Sequence, residues 1–156
     1  MYKKILIPTD GSDLSNATAI AGVEFAAQIG AEVAGLFVAP ECQYAVYGEI
    51  IPSAYPAEDE YRASMAKTGQ ACLQIIDNAA QKAKLAFTGM TLFSDATARC
   101  IVETAKNTHC DLISMGSHGR GGWGHLLLGS VTSSVLAECT VPVLVHRIKK
   151  PANPLI

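Results

Sequence analysis

The residues best suited to chemistry lie together in one stretch, Met115-Gly116-Ser117-His118-Gly119-Arg120-Gly121-Gly122-Trp123-Gly124-His125-Leu126-Leu127-Leu128-Gly129-Ser130. It follows an apolar run with strand character and leads into a helical pattern. Glycine in such a place lets the backbone take positive φ and lets a ligand approach main-chain N–H groups with no Cβ in the way. A helix starting at Ser130 adds unpaired N–H donors and the positive end of its dipole, which together make an anion site. Phosphate is the guest this arrangement suits. The glycines stand as Gly116, two residues, Gly119, nine residues, Gly129 and then Ser130. There is no Gly-x-x-x-x-Gly-Lys-Ser/Thr, so no lysine reaches terminal phosphates, and no Gly-x-Gly-x-x-Gly follows the first strand. The pattern points to holding a phosphate, not to transferring one quickly.

A second segment, Pro8-Thr9-Asp10-Gly11-Ser12, ends the first strand. In open α/β sheets, ligands bind beyond the carboxyl ends of the strands where the strand order reverses. If the first and fourth strands flank that reversal, this segment and Met115-Gly116 meet across one crevice. A carboxylate at Asp10 would repel phosphates unless it faced ribose hydroxyls or a Mg²⁺ ion bridging to phosphate oxygens. Asp-Gly-Ser is equally an ordinary turn or helix-cap sequence. His118 lacks an evident nucleophile beside it, so it reads as a residue positioning the main chain, and no catalytic residue is assigned. Trp123 reads as packing on the loop.

The elements that must position these residues alternate short β-branched runs with helical patterns, the signature of a parallel sheet covered on both faces by crossover helices. The strands read as Lys4-Thr9, Glu32-Val38, Thr88-Phe93, Asp111-Met115 and Val143-His146. Runs such as Ile5-Leu6-Ile7 lack polar alternation, as strands buried on both faces do. Leu14, Ala17, Ala21, Phe25 and Ile29 recur at helical steps before Gly30, which suits a left-handed helix end. A long helix is expected from Glu58 to Ala86, a third after a Ser94-Asp95 cap, and a fourth from Ser130 to before Pro142. The connection from Pro40 to Ala57, with Tyr44, Tyr47 and Tyr55, is long enough to read either as a flap beside the ligand or as a solvated insertion.

At 156 residues the chain suits a single domain, expected over 1–148 with 149–156 as a tail. Its 49% hydrophobic content supports a core, and a net charge of −2 gives no footprint for nucleic acid. Met1-Tyr2-Lys3-Lys4-Ile5 runs straight into a strand without signal-peptide features, and no apolar run approaches the ~20 residues of a membrane span. A cytoplasmic location with no membrane partner is the expectation. Five cysteines without a Cys-x-x-Cys pair read as reduced thiols, with Cys72, Cys100 and Cys139 as packing residues. His109-Cys110 alone does not make a metal site.

Pro-Thr-Asp-Gly-Ser after the first strand, Met-Gly-Ser-His-Gly-Arg after the fourth, Leu-Leu-Leu-Gly-Ser-Val before the last helix and Val-Pro-Val-Leu-Val at the last strand resemble the universal stress protein family. The glycine spacing is similar to that of its ATP-binding branch. The resemblance implies an open five-stranded parallel sheet in the order 3-2-1-4-5, like the adenine nucleotide alpha hydrolases. It implies that Gly116, Gly119, Gly129, Ser130, Val131 and Thr132 hold phosphates and ribose, that Val38 offers its main chain to adenine, and that Pro8, Thr9 and Met115 line the pocket. Arg120 stands where the family often carries arginine, and it reads either as a charge on phosphate or as a solvated arginine. The implied assembly is a homodimer through Val143-His146, acting on an unidentified protein partner as a stress-response or signalling switch. Gly122-Trp123-Gly124-His125 departs from the family's more basic pattern, so ATP, ADP and AMP all remain open as ligand. The alternatives are slow ATP hydrolysis or autophosphorylation among Ser130, Thr132, Ser133 and Ser134, and a nucleotide-free interaction module.

Overall fold

The computed structural model describes residues 1–42, 57–117 and 128–148. Five strands, β1 (Lys4–Thr9), β2 (Glu32–Ala39), β3 (Phe87–Phe93), β4 (Leu112–Gly116) and β5 (Val143–His146), form one parallel sheet in the order β3-β2-β1-β4-β5. Four helices connect them: α1 (Asp13–Ile29), α2 (Glu58–Lys82), α3 (Thr97–Asn107) and α4 (Ser130–Glu138). The expected fold, including its strand order, is the observed one.

Both faces of the sheet are covered because successive strand residues point to opposite sides. Ile5, Ile7, Val33, Phe37 and Ala39 pack with Val23 and Ala26 of α1 and Ile76 of α2. Leu6, Ala34, Leu36, Ile113 and Met115 pack with Ile101 and Val102 of α3 and Val135 of α4. This two-sided burial is why the β1 run Ile5-Leu6-Ile7 is wholly apolar and wholly inaccessible.

Local chemistry fixes the helix ends. Ser12 caps α1 by accepting from the Ser15 amide, and Gly30 ends it at φ 69°. Gly69 lets α2 press on the sheet: a Cβ there would collide with Thr91 Oγ1 and lie 2.9 Å from Phe37 Cδ1.

Strand β2 runs one residue further than read, to Ala39, β3 starts one earlier, at Phe87, and β4 ends one later, at Gly116; three other departures have causes that the bonding shows. Helix α2 stops at Lys82 and not at Ala86, because Lys84 takes φ 58° and the Leu85 amide turns back to Ala80. Ser94 and Asp95 do not cap α3, whose cap is Ala96 with no side-chain bond. Ser94 Oγ instead accepts from the Ala96 amide, and Asp95 Oδ1 accepts from the Glu41 amide. Strand β4 starts one residue late, because the Asp111 carboxylate accepts from the Lys3 and Lys4 amides at 2.9–3.0 Å and ties the chain's start to the α3–β4 turn.

All five cysteines are unbridged thiols; Cys110 is buried and the other four are half-buried. Burial pushes the Cys110 thiol up, against a contact to Thr108 Oγ1 that lowers it, so the group is inert. His109 is a turn residue at φ 55°. Among the described residues no helix is long and apolar enough to cross a membrane. Most of the Pro40–Ala57 connection and the 149–156 tail lie outside the described residues.

Candidate functional site

The chain runs from β1 outward through β2 to β3, then returns to place β4 and β5 on the other side of β1. The order therefore reverses between β1 and β4. Their pairing covers only Ile5↔Leu112 and Leu6↔Ile113, although β1 continues to Thr9 and β4 to Gly116. Past that point no β1–β4 register pair follows, and this end of the sheet, at the switch point, is where a ligand is expected in such folds.

The β1 side of the crevice is a turn held by hydroxyls. Thr9 Oγ1 accepts from the Gly11 amide at 3.2 Å and from Ser15 Oγ at 3.1 Å, while Ser15 Oγ accepts from the Asp10 amide at 3.2 Å. Asp10 Oδ1 accepts from the Ser12 amide at 3.0 Å and from Ser12 Oγ at 2.7 Å. Gly11 sits at φ 77°, a conformation that suits glycine, with Cys72 Sγ packed against it. The turn role considered for Asp10 is thus present, and it fixes where the carboxylate points.

The β4 side is built from main chain. The Ser117 amide donates to the His146 carbonyl at 2.9 Å, and the Gly129 amide donates to the Ser117 carbonyl at 2.7 Å. Thr132, which is 3% exposed, donates its hydroxyl to the Gly116 carbonyl at 2.8 Å. These ties pin the start of α4 against the end of β4. The cap of α4 is Gly129, which has no side chain to satisfy the first N–H groups of the helix. Ser130 and Val131 of its first turn are exposed, and Thr132 is buried. The positive end of the helix dipole lies at the same place.

Of the residues singled out from sequence, Pro8 and Thr9 end β1 and Asp10 follows it, Val38 lies next to last in β2, and Met115 and Gly116 end β4. Gly129, Ser130, Val131 and Thr132 open α4. Gly119 and Arg120, with His118 and Trp123, lie outside the described residues.

Sequence reasoning missed one pair. Ser114 Oγ, fully buried in β4, lies 2.8 Å from His146 Nε2 at the end of β5. Burial pushes the His146 imidazole below its ordinary value and favours the neutral ring. A Cβ at Gly22 of α1 would lie 2.7 Å from Ser114 Oγ, so the helix closes directly over Ser114. A hydroxyl sealed in this way is not a nucleophile open to substrate. The only hint in the sequence was a lone serine inside an apolar strand.

A family model described as the universal stress protein family matches residues 1–147. The chain belongs to the universal stress protein family. Universal stress protein MJ0531 of Methanocaldococcus jannaschii is 32% identical over 154 residues, covering 97% of this chain and 84% of that protein. Universal stress protein YxiE of Bacillus subtilis is 33% identical over 152 residues, covering 94% of this chain and 100% of that one. Among solved structures, MJ0577 superposes with a TM-score of 0.79 at 28% identity, over 97% of this chain and 99% of that chain. Universal stress proteins have also been solved with cAMP and, from Archaeoglobus fulgidus, with dAMP. Both show the same fold, with a TM-score of 0.60 at 19% and 20% identity.

Proposed function

We propose that this universal stress protein binds an adenine nucleotide, ATP foremost, in the crevice between β1 and β4. The observation that carries the reading is the α4 N-terminus, capped by a glycine and tied through Thr132 to the end of β4, which sets the positive end of the helix at the topological switch point. Family relatives solved with cAMP and dAMP support an adenine ligand.

In this reading the amides of Ser130, Val131 and Thr132, with the Gly116–Gly119–Gly129 loop and the Arg120 charge, hold the phosphates. The Val38 main chain meets adenine, and Pro8, Thr9 and Met115 line the cavity. Asp10, oriented by Ser12, faces the ribose or a Mg²⁺ ion carried in with the phosphates. Such an ion keeps several waters and needs only one or two protein carboxylates, so a single aspartate beside hydroxyls fits it. Bound, the ion would supply charge neutralisation. Occupied and empty states then present different surfaces to a protein partner, with a homodimer formed along β5 in the cytoplasm. A switch of this kind requires the ligand to bind the two states with different affinity.

The test is calorimetric titration of Mg-ATP into nucleotide-stripped protein, with Gly129→Val as the blocked site. Saturable binding of one nucleotide per chain, lost in the variant, is expected. A folded wild-type protein that takes up no nucleotide refutes the reading.

A further inference from the structure

The corner beyond the end of β2 carries a bonded cluster that the phosphate site does not use. After Val38, the Ala39 carbonyl accepts from the Ser94 amide at 2.9 Å, and the Glu41 amide donates to Asp95 Oδ1 at 3.0 Å. These bonds hold the departing chain on its β3 side. On its α2 side, Tyr61 donates its hydroxyl to the Pro40 carbonyl at 3.0 Å, and Arg62 Nη2 meets Glu41 Oε2 at 3.1 Å. Arg62 is itself held twice more. Its Nε lies 3.2 Å from Glu58 Oε1, and its guanidinium carbon lies 4.6 Å from the centre of the Phe93 ring. Phe93 is the register partner of Ala39, one strand away.

Each of these contacts alone is weak. The Arg62–Glu41 pair is 43% and 42% exposed, a setting in which single ion pairs contribute little to stability. Their arrangement is what distinguishes them. An arginine already ordered by a ring and one carboxylate loses little further freedom in gripping a second carboxylate. That second carboxylate, Glu41, belongs to the segment whose backbone leaves Val38. On the opposite side of the sheet centre, the ties between α4 and β4 involve none of these residues.

We propose that Arg62 is a positioning residue for the base end of the nucleotide site. By holding Glu41 it fixes the backbone of Val38–Pro40, and so sets the discrimination of adenine from guanine while leaving the phosphate end untouched. A main chain reads a purine edge through the orientation of its N–H and C=O groups, so slack in that segment weakens recognition of the base before anything else. The proposal rests on the nucleotide reading above.

The experiment measures affinities of the full chain for Mg-ATP, Mg-GTP and tripolyphosphate by calorimetry. Arg62→Met keeps an apolar stem against Phe93 and removes the charge. It is expected to weaken ATP binding by about 1.5- to fivefold, the range open to exposed charge contacts. The ATP-to-GTP preference should fall by the same factor, with tripolyphosphate binding unchanged. Glu41→Gln should act in the same direction, and the double variant should be no worse than the stronger single one. Arg99→Met removes a chemically equivalent pair with Glu103 on α3, at 3.0 Å, and should change none of the three affinities.

Hydrogen exchange without ligand gives an independent reading. Arg62→Met should speed exchange of the Glu41 amide and leave the Gly129 amide as in wild type. A wild-type ATP-to-GTP preference in Arg62→Met, or equal losses for ATP and tripolyphosphate, overturns the role of Arg62 while nucleotide binding stands. A wild-type protein that binds none of the three ligands overturns both readings. Unchanged exchange at Glu41 overturns the positioning mechanism whatever the ligand does.

Discussion

Replacing Thr132 with valine removes one hydroxyl at almost constant volume from the joint between α4 and β4. Thr132 is 3% exposed and its hydroxyl lies 2.8 Å from the Gly116 carbonyl, so valine leaves that carbonyl without this donor in a buried place. Losing a buried partner in this way costs about 1–3 kcal/mol. At a middle value of ~2 kcal/mol, a chain of this size should melt about 4–8 °C lower. The ligand effect is separable. A ligand at about 100 times its Kd stabilises by ~2.7 kcal/mol, and a tenfold loss of affinity at the same concentration cuts that to roughly half. Thermal denaturation with and without Mg-ATP reads both quantities. The expected result is a lower Tm without nucleotide and a smaller rise with it. Thr132→Ser, which keeps the hydroxyl and loses only a methyl, should fall within ~1 kcal/mol of wild type. If valine matches wild type in both quantities, the tie neither stabilises the joint nor shapes the anion site.

Two further predictions concern pH. Burial lowers the folded-state value of His146, so below the ordinary value of ~6.5 the unfolded chain takes up a proton that the folded chain refuses. Stability is therefore complete above about pH 6.5 and lost as pH falls through the folded value; urea midpoints at pH 7.5 and 5 should lie closer together in His146→Gln than in wild type. For Asp111, partial burial works against ionisation, but the Lys4 and Lys3 amides outweigh it and hold the carboxyl below its usual range. Its contribution is present above ~4 and lost as pH falls through the lowered value. Asp111→Asn should lower the urea midpoint at pH 7, and the difference from wild type should shrink toward pH 3.

The sheet was legible because its central strands are buried on both faces and so carry unbroken apolar runs; β1 and β5 have the very bounds read from sequence. Gly30 likewise announced the end of α1, since glycine suits its left-handed conformation. The end of α2 was hidden because a lysine, Lys84, takes the left-handed position and leaves no compositional mark. Ser94-Asp95 looked like a helix cap because Ser and Asp satisfy any nearby amide, and here tertiary contact directs Asp95 to Glu41 instead. Ser114 and His146 are 32 positions apart, and only the β4–β5 register brings them together. The same holds for Arg62, whose partners Glu41 and Phe93 come from different elements.

The hydroxyls around the crevice follow from the opening of the sheet itself. Where the β1–β4 register ends, terminal backbone groups lose strand partners, yet buried N–H and C=O groups must still be bonded. Side-chain oxygens take over: Thr9 and Ser15 serve the amides of Gly11 and Asp10, Ser12 caps α1, and Thr132 serves the Gly116 carbonyl. A cluster of Ser and Thr at this end of the sheet is thus what an open switch point demands before any ligand arrives. It follows that these four hydroxyls are poor candidates for phosphoacceptors, since each is already engaged in the frame. The first turn of α4 follows a glycine cap, which offers its amides no side-chain acceptor. Helices α2 and α3 also start without a side-chain cap, but α4 starts beside the end of β4 at the switch point, where a phosphate would be a suitable acceptor from outside.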